Sequence, residues 1–467
     1  MAAAASLNYS VNLLDEVSPG HSSGDAMNAE NTLPGFPARF KGERVWKGSD
    51  MAKREMEWTT LLSDQDREEI TKALHHFTGE LNGSSQVWLG LGPESLSVNT
   101  FPLSPGLHGR LRAVSEAVHE GRGFAVLRGL RPEDFTQEEN VLMYAGISAH
   151  VAPLRGFQDL NRELVICHVV SQELQPGAEE ENLRPAFTNE RLVAHHFFLA
   201  PSHQAFHTDV GDVLSLCTLD ISSSGGETML VSSSQLYNEF AEVRPDLLRE
   251  LSKNWVSFVA QDYHAEGTPL INTAYPGDKL VFQYSRLPVT GFRRNSTTQH
   301  HYSLPPPTPA RLEAMDLLER LAWKHSLALP AHAGDVAYIN NLTLMHARRG
   351  FDLDPLTGTP LPSKRHLVKM LLRDPELKWE LPRCLDWYSR RVYGANREGG
   401  TRWERWDLVS GCGDGQAARQ EQGGHGNGHG NGMRSYDSGS GSTGGGGGAN
   451  PSGGGGSGSG GGTLSNG

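Results

Sequence analysis

Gln204-Ala205-Phe206-His207-Thr208-Asp209-Val210-Gly211-Asp212 runs directly into Val213-Leu214-Ser215-Leu216-Cys217-Thr218-Leu219. The second half is apolar, partly β-branched and of strand length, so it reads as a buried strand. The first half imposes a narrower constraint. In extended backbone, residues i and i+2 point to the same side, so His207 and Asp209 project together at the mouth of that strand. Two imidazoles and one carboxylate on one face can hold a redox-active iron with coordination positions left open. His207 and Asp209 supply two of the three.

An isolated His-x-Asp carries little weight. With 20 histidines in the chain, about one match to Asp or Glu arises by chance. His264-Ala265-Glu266 is such a match, and the Gly267-Thr268-Pro269 that follows has the chemistry of an exposed turn. Later segments give His207 and Asp209 their company. Gly225-Gly226-Glu227-Thr228-Met229-Leu230-Val231 reads as a glycine turn into a short strand with a hydroxyl near its start. Gly334-Asp335-Val336-Ala337-Tyr338-Ile339 reads as a turn and a strand, and Asn340 to Met345 leads from it to His346. After an insertion rich in proline and glycine, Arg365-His366-Leu367-Val368-Lys369-Met370-Leu371-Leu372 forms a last strand, with Arg365 and Lys369 on one face.

Taken in this order, the segments resemble the Fe(II)- and 2-oxoglutarate-dependent enzymes of the taurine dioxygenase and 2,4-dichlorophenoxyacetate dioxygenase (TauD/TfdA) family. Gly123-Phe124-Ala125-Val126-Leu127-Arg128-Gly129-Leu130 is similar to the family's first core strand, so the resemblance covers roughly residues 100 to 375. It implies a mainly β fold with flanking helices, a double-stranded β-helix or jelly-roll of the clavaminate synthase-like kind. It also implies His207, Asp209 and His346 as iron ligands, Arg365 as the partner of the distal carboxylate of 2-oxoglutarate, and Thr228 as a hydrogen-bond donor to it. The implied reaction consumes O2, converts 2-oxoglutarate to succinate and carbon dioxide, and hydroxylates or desaturates a small organic substrate. Asp209 favours that outcome, because related halogenases of the wider superfamily carry a small residue there.

Elementary chemistry agrees with these roles. A guanidinium is a planar fork matched to a carboxylate, and imidazole and carboxylate suit Fe(II) in forms available at neutral pH. Lys369 lies four residues beyond Arg365, where taurine dioxygenase carries an arginine for the substrate's sulfonate. A lysine is a point charge that can meet an anionic substrate without sulfonate specificity, so an organic acid or a similarly small polar substrate is expected. Gln204, three residues before His207, and Arg286, in Phe282-Gln283-Tyr284-Ser285-Arg286-Leu287-Pro288, are further candidates for the pocket.

Composition divides the chain into a poorly ordered segment 1–40, a dioxygenase domain 41–410, and a disordered Gly/Ser/Asn-rich tail 411–467. The tail has too little apolar surface to offset its ordering entropy, and its His425 and His429 have no scaffold to enforce metal geometry. Within the domain, Ser63 and Asp66 read as a capping box for a helix carrying Ile70, Ala73, Leu74, Phe77 and Leu81 on one face. A second helix carries Leu107, Leu111, Val114 and Val118, and residues 234–243 and 309–322 read as two more.

A net charge of -12 argues against nucleic acid as a partner. No run reaches the ~18 to 20 apolar residues of a membrane span, and Met1-Ala-Ala-Ala-Ala-Ser-Leu lacks the features of a signal peptide, which makes the cytoplasm the expectation. Cys167, Cys217, Cys384 and Cys412 lack zinc-like spacing and read as free thiols of a reducing compartment. The expected partner is a small molecule, and a homo-oligomer is compatible with such a domain. Two other readings stand beside the dioxygenase: a non-catalytic jelly-roll that binds or senses, and a cupin-like metalloenzyme that does not use 2-oxoglutarate.

Overall fold

Apolar side chains at odd and even positions alike give the central strands two buried faces, and the chain winds to satisfy both. The computed structural model describes residues 33–79, 92–159, 161–170, 204–256, 267–286, 289, 307–352, 356 and 362–410. His264, the His425/His429 tract, Cys412, residues 1–32 and the tail lie outside them. The described residues fall within one compact unit, Met1–Gly413.

β1 (Thr59–Leu61) is followed by helices α1 (Asp64–Thr78) and α2 (Pro105–His119), and then by β2 (Phe124–Arg128), which pairs with β1 in parallel. α3 (Gln137–Val151), β3 (Leu154–Gly156) and β4 (Cys167–Val170) come next. From there successive strands change sheet. β5 (Gln204–His207), β6 (Val213–Asp220) and β7 (Thr228–Ser232) fall in a four-, a seven- and again the four-stranded sheet.

Helices α4 (Ser233–Val243) and α5 (Pro245–Leu251) then precede the short strands β8 (Asn254–Trp255), β9 (Thr268–Pro269), β10 (Ile271–Ala274) and β11 (Lys279–Phe282). α6 (Pro309–His325) follows, and the winding resumes. β12 (Leu327–Ala328), β13 (Val336–Asn340), β14 (Leu344–Arg348) and β15 (His366–Arg373) take the four-, seven-, four- and seven-stranded sheets in turn. The larger sheet runs β1-β2-β13-β6-β15-β3 with β4 also on β15, and the smaller runs β12-β7-β14-β5. Antiparallel strands exchanging between two sheets in this way form the expected jelly-roll. α7 (Asp386–Tyr393) closes the domain.

Strand alternation sorts the core into layers. Leu214, Ile339 and Leu371 of the larger sheet meet Leu230 and Leu344 of the smaller one between the sheets. Val213, Cys217, Tyr338, Val368 and Met370 face outward onto α1, α2 and α3. Phe206, Met229, Val231 and Met345 face the other way, onto α4, α5 and α6. The Ser63–Asp66 capping box is present, and α1 ends at left-handed Gly79 with φ 77°, which leaves Leu81 beyond the helix and outside the described residues.

α3 shows no polar stripe in the sequence because every residue from Asn140 to Val151 is buried. Its readable signal is the capping box of Thr136 and Glu139. At the start of the domain, Leu33 and Phe40 are buried against α4, and Phe36 packs beside them. The Phe40 amide donates to Asn238 Oδ1 at 2.8 Å, and Tyr237 Oη donates to the Pro37 carbonyl at 2.9 Å. Residues 33–40 thus join the core, although composition groups them with the poorly ordered start. Burying a Leu or Phe stabilises by about 1.5–3 kcal/mol each, enough to order a short segment of unpromising composition. Among the described residues no helix is long and apolar enough to cross a membrane.

Beside the last strand, His168 Nε2 donates to the Asp407 carbonyl at 2.8 Å, so its Nδ1 accepts from His366 Nε2 at 2.7 Å. That bond requires the accepting His168 ring to be neutral. Burial lowers the pKa of His168, and burial with His168 as neighbour pushes His366 down to about 4. A histidine depressed in the fold contributes stability that is complete above its unfolded value of about 6.5 and is lost as pH falls from there through the folded value. His366→Gln should therefore reduce the difference in unfolding free energy between pH 7 and pH 5 by roughly 1–2 kcal/mol, measured by urea denaturation at each pH.

Candidate active site

The register of β14 brings the candidate side chains together. Against β5 it sets His346 opposite His207 and Arg348 opposite Gln204, with a register shift between the two pairs. The extra residue on β5 is a bulge, and it turns Gln204 and His207 to the same face although they are three positions apart. Against β7 it sets His346 opposite Leu230 and Arg348 opposite Thr228.

His207 Nδ1 donates to the Ala205 carbonyl at 2.9 Å, which fixes the ring and leaves Nε2 a free lone pair. His207 Nε2 lies 3.8 Å from Asp209 Oδ1, and His346 Nε2 lies 3.8 Å from Asp209 Oδ2. One donor atom from each of the three residues lies within 4.8 Å of the others. Burial, reinforced by His207, pushes the His346 imidazole down to about 3, so it is neutral and able to ligate at physiological pH. Burial alone would raise the Asp209 carboxyl, but Lys369, His346 and His207 outweigh it and hold it well below the usual carboxylate range. The donor set, two imidazoles and a carboxylate, fits Fe(II).

Asp209 is positioned from its backbone. Asn341 Oδ1 accepts from the Asp209 amide at 2.9 Å, while Asn341 Nδ2 donates to the carbonyls of Asp209 at 2.6 Å and Gly211 at 2.9 Å. Tyr388 Oη donates to the Gly211 carbonyl at 2.6 Å, and the Asp212 amide donates to Tyr393 Oη at 2.8 Å. Arg373 grips the Asp212 carboxylate with two bonds of 2.6 and 2.8 Å. Thr208 faces the opposite way and accepts from the Tyr284 amide at 2.9 Å.

The triad opens into a cavity of about 90 Å³ that Gln204, Thr228, Arg348, Arg365 and Lys369 also line, with Leu214, Leu216 and Leu367 as apolar wall. Arg365 is buried, donates from Nε to the Gly226 carbonyl at 3.3 Å, and pairs with no carboxylate among the described residues. Burial pushes its guanidinium down to about 10, still cationic at neutral pH. Gly226, at φ 79°, would place a Cβ 3.1 Å from Arg365 Cδ and Nε, so a side chain there would displace the arginine. Lys369 Nζ lies 3.0 Å from Asp209 Oδ2.

Residues 89–371 match the model of the family described as "Taurine catabolism dioxygenase TauD, TfdA family". The chain belongs to the TauD/TfdA family. It is accordingly an Fe(II)- and 2-oxoglutarate-dependent dioxygenase. A taurine hydroxylase-like protein of Stachybotrys chartarum is 31% identical over 350 residues, 74% of this chain and 82% of that protein. FR-33289 synthase of Streptomyces rubellomurinus is 24% identical over 334 residues, 70% of this chain and 88% of that one. Among solved structures, an asparagine oxygenase in complex with Fe(II), hydroxyasparagine and succinate matches with a TM-score of 0.45 and 15% identity, covering 69% of this chain and 99% of that one.

Of the residues singled out in the sequence, His207, Asp209, His346, Thr228, Arg365, Lys369 and Gln204 share a single cavity in this TauD/TfdA protein. Arg286 does not line it. Its guanidinium is 2.7 Å from Asp316 on α6, where a buried charge finds its counter-ion, so the structure gives it to the α6 contact. Sequence reasoning passed over Arg348, although its place two positions after His346 was a signal, and over Asn341, Tyr388 and Tyr393, which act through backbone atoms and leave no motif. Asn341→Ala should weaken metal binding roughly 10–100-fold by loosening Asp209, read by titrating the apoprotein with Co(II), while far-UV circular dichroism stays unchanged.

Proposed function

We propose that His207, Asp209 and His346 hold Fe(II), that Arg365 and Thr228 take the distal carboxylate of 2-oxoglutarate, and that the enzyme oxidises a small anionic organic molecule. The observation that carries this reading is the donor triad within 4.8 Å sharing one cavity with a buried guanidinium that no described carboxylate neutralises. The chemistry supplied by the iron centre is the oxidative decarboxylation of 2-oxoglutarate to succinate and carbon dioxide, coupled to oxidation of a substrate C–H bond.

The chain's own residues bind and orient. Arg365 anchors one end of the keto acid through a charge-assisted fork, and the Thr228 hydroxyl completes that carboxylate's hydrogen bonds. This fixed end directs the keto end toward the triad, which turns an encounter into a held geometry. Leu214, Leu216 and Leu367 supply a wall that offers water no partner. Lys369 places a cation beside the triad for an anionic substrate, and Gln204 offers both a donor and an acceptor. The domain is read as 41–410 with Leu33–Phe40 packed onto it. Free thiols at Cys217 and Cys384 support a reducing compartment, the cytoplasm.

Anaerobic protein with Fe(II) should develop a visible charge-transfer band on addition of 2-oxoglutarate, and Arg365→Ala should weaken it. Folded, iron-loaded protein without a band would end the 2-oxoglutarate reading. Lys369→Ala should raise the apparent KM for the organic substrate roughly tenfold or more with little change in the KM for 2-oxoglutarate. An unchanged substrate KM would remove the anion contact.

A further inference from the structure

The cavity holds a second buried guanidinium that neither metal ligation nor the Arg365–Thr228 pair employs. Arg348 stands two positions beyond His346 on β14 and so faces inward with it. It is 5% exposed and lies directly across the ladder from Thr228. It also shares an aromatic ring with Arg365: the two guanidinium carbons lie 4.6 and 5.2 Å from the centroid of Phe351. Phe351 is itself tied to Gly225 by an isolated bridge, next to the Gly226 carbonyl that receives Arg365. Ring, glycine turn and both arginines thus form one cluster beside the cavity that Thr228 also lines.

Two like charges brought to one ring in a dry cavity repel, and a carboxylate reaching both relieves that repulsion. A carboxylate has about four lone-pair sites, and one guanidinium fork and one hydroxyl use three of them. A single N–H of a second guanidinium fits the one that remains. On the basis of the function proposed above, we propose that Arg348 is a second contact for the distal carboxylate of 2-oxoglutarate, making the co-substrate site a two-arginine clamp closed by Thr228. The ligand class is a 2-oxo dicarboxylic acid whose far acid group is indispensable. Contact with the anionic group of the organic substrate is the competing role for Arg348.

The test compares 2-oxoglutarate with 2-oxopentanoate, which has the same carbon chain but no distal acid. Binding of each to anaerobic, Mn(II)-loaded parent, Arg348→Met and Arg348→Lys is measured by calorimetry. Arg348→Met should weaken 2-oxoglutarate about tenfold or more and leave 2-oxopentanoate unchanged, so that the preference between them falls. Arg348→Lys should recover part of that preference. A preference unchanged in Arg348→Met, whether both acids weaken equally or neither does, overturns the clamp, as does a variant in which only the organic substrate's KM rises. Parent protein that binds both acids alike overturns the 2-oxoglutarate reading itself, an outcome distinct from failure at Arg348 alone.

Discussion

β14 lies between β5 and β7, and its register decides the chemistry of the cavity. It places His346 against His207 on one side and Arg348 against Thr228 on the other. Side chains alternate along a strand, so a slip of one residue would turn His346 and Arg348 out toward the helices and bring Met345 and Ala347 inward. The apolar contacts of Met345 and Ala347 with the helical layer therefore hold the imidazole in place as much as they hold the sheet. Packing on the outer face and ligand geometry on the inner face are two readings of one pairing.

The cavity's charge runs against that of the chain. The protein carries a net charge of -12, yet Arg348, Arg365 and Lys369 line the cavity with Asp209 as the acidic residue among its lining. Apolar walls strengthen each of these charges by keeping the local dielectric low. A site of this kind favours reactants that arrive as anions, which matches a keto diacid. Arg373 and Asp212, paired just outside the cavity, neutralise each other and add little to its field.

The residues proposed to act through their side chains were legible in the sequence: His207, Asp209, His346, Thr228 and Arg365 belong to ordered motifs, and period-two alternation put Arg365 and Lys369 on one face. What stayed hidden acts through backbone or context. The β5 bulge leaves no compositional trace, and Asn341, Tyr388 and Tyr393 meet carbonyls and amides that any residue carries. α3 is buried on every side and lost the polar stripe that periodicity needs. Arg286 sits beyond a strand that flanks the core, and only the position of Asp316 on α6 decides where its charge goes. Leu33, Phe36 and Phe40 are ordered by a surface that forms far away in the chain.

Tyr388 and Tyr393 on α7 fasten the loop that carries Asp209, although nearly half of the domain separates them in the chain. During synthesis the imidazole and the carboxylate of the first motif emerge long before the helix that fixes their carboxylate. A growing chain, or one cut short before α7, carries all three donors without the brace that holds them in one arrangement. The arrangement of that loop is therefore settled only once α7 has docked against it.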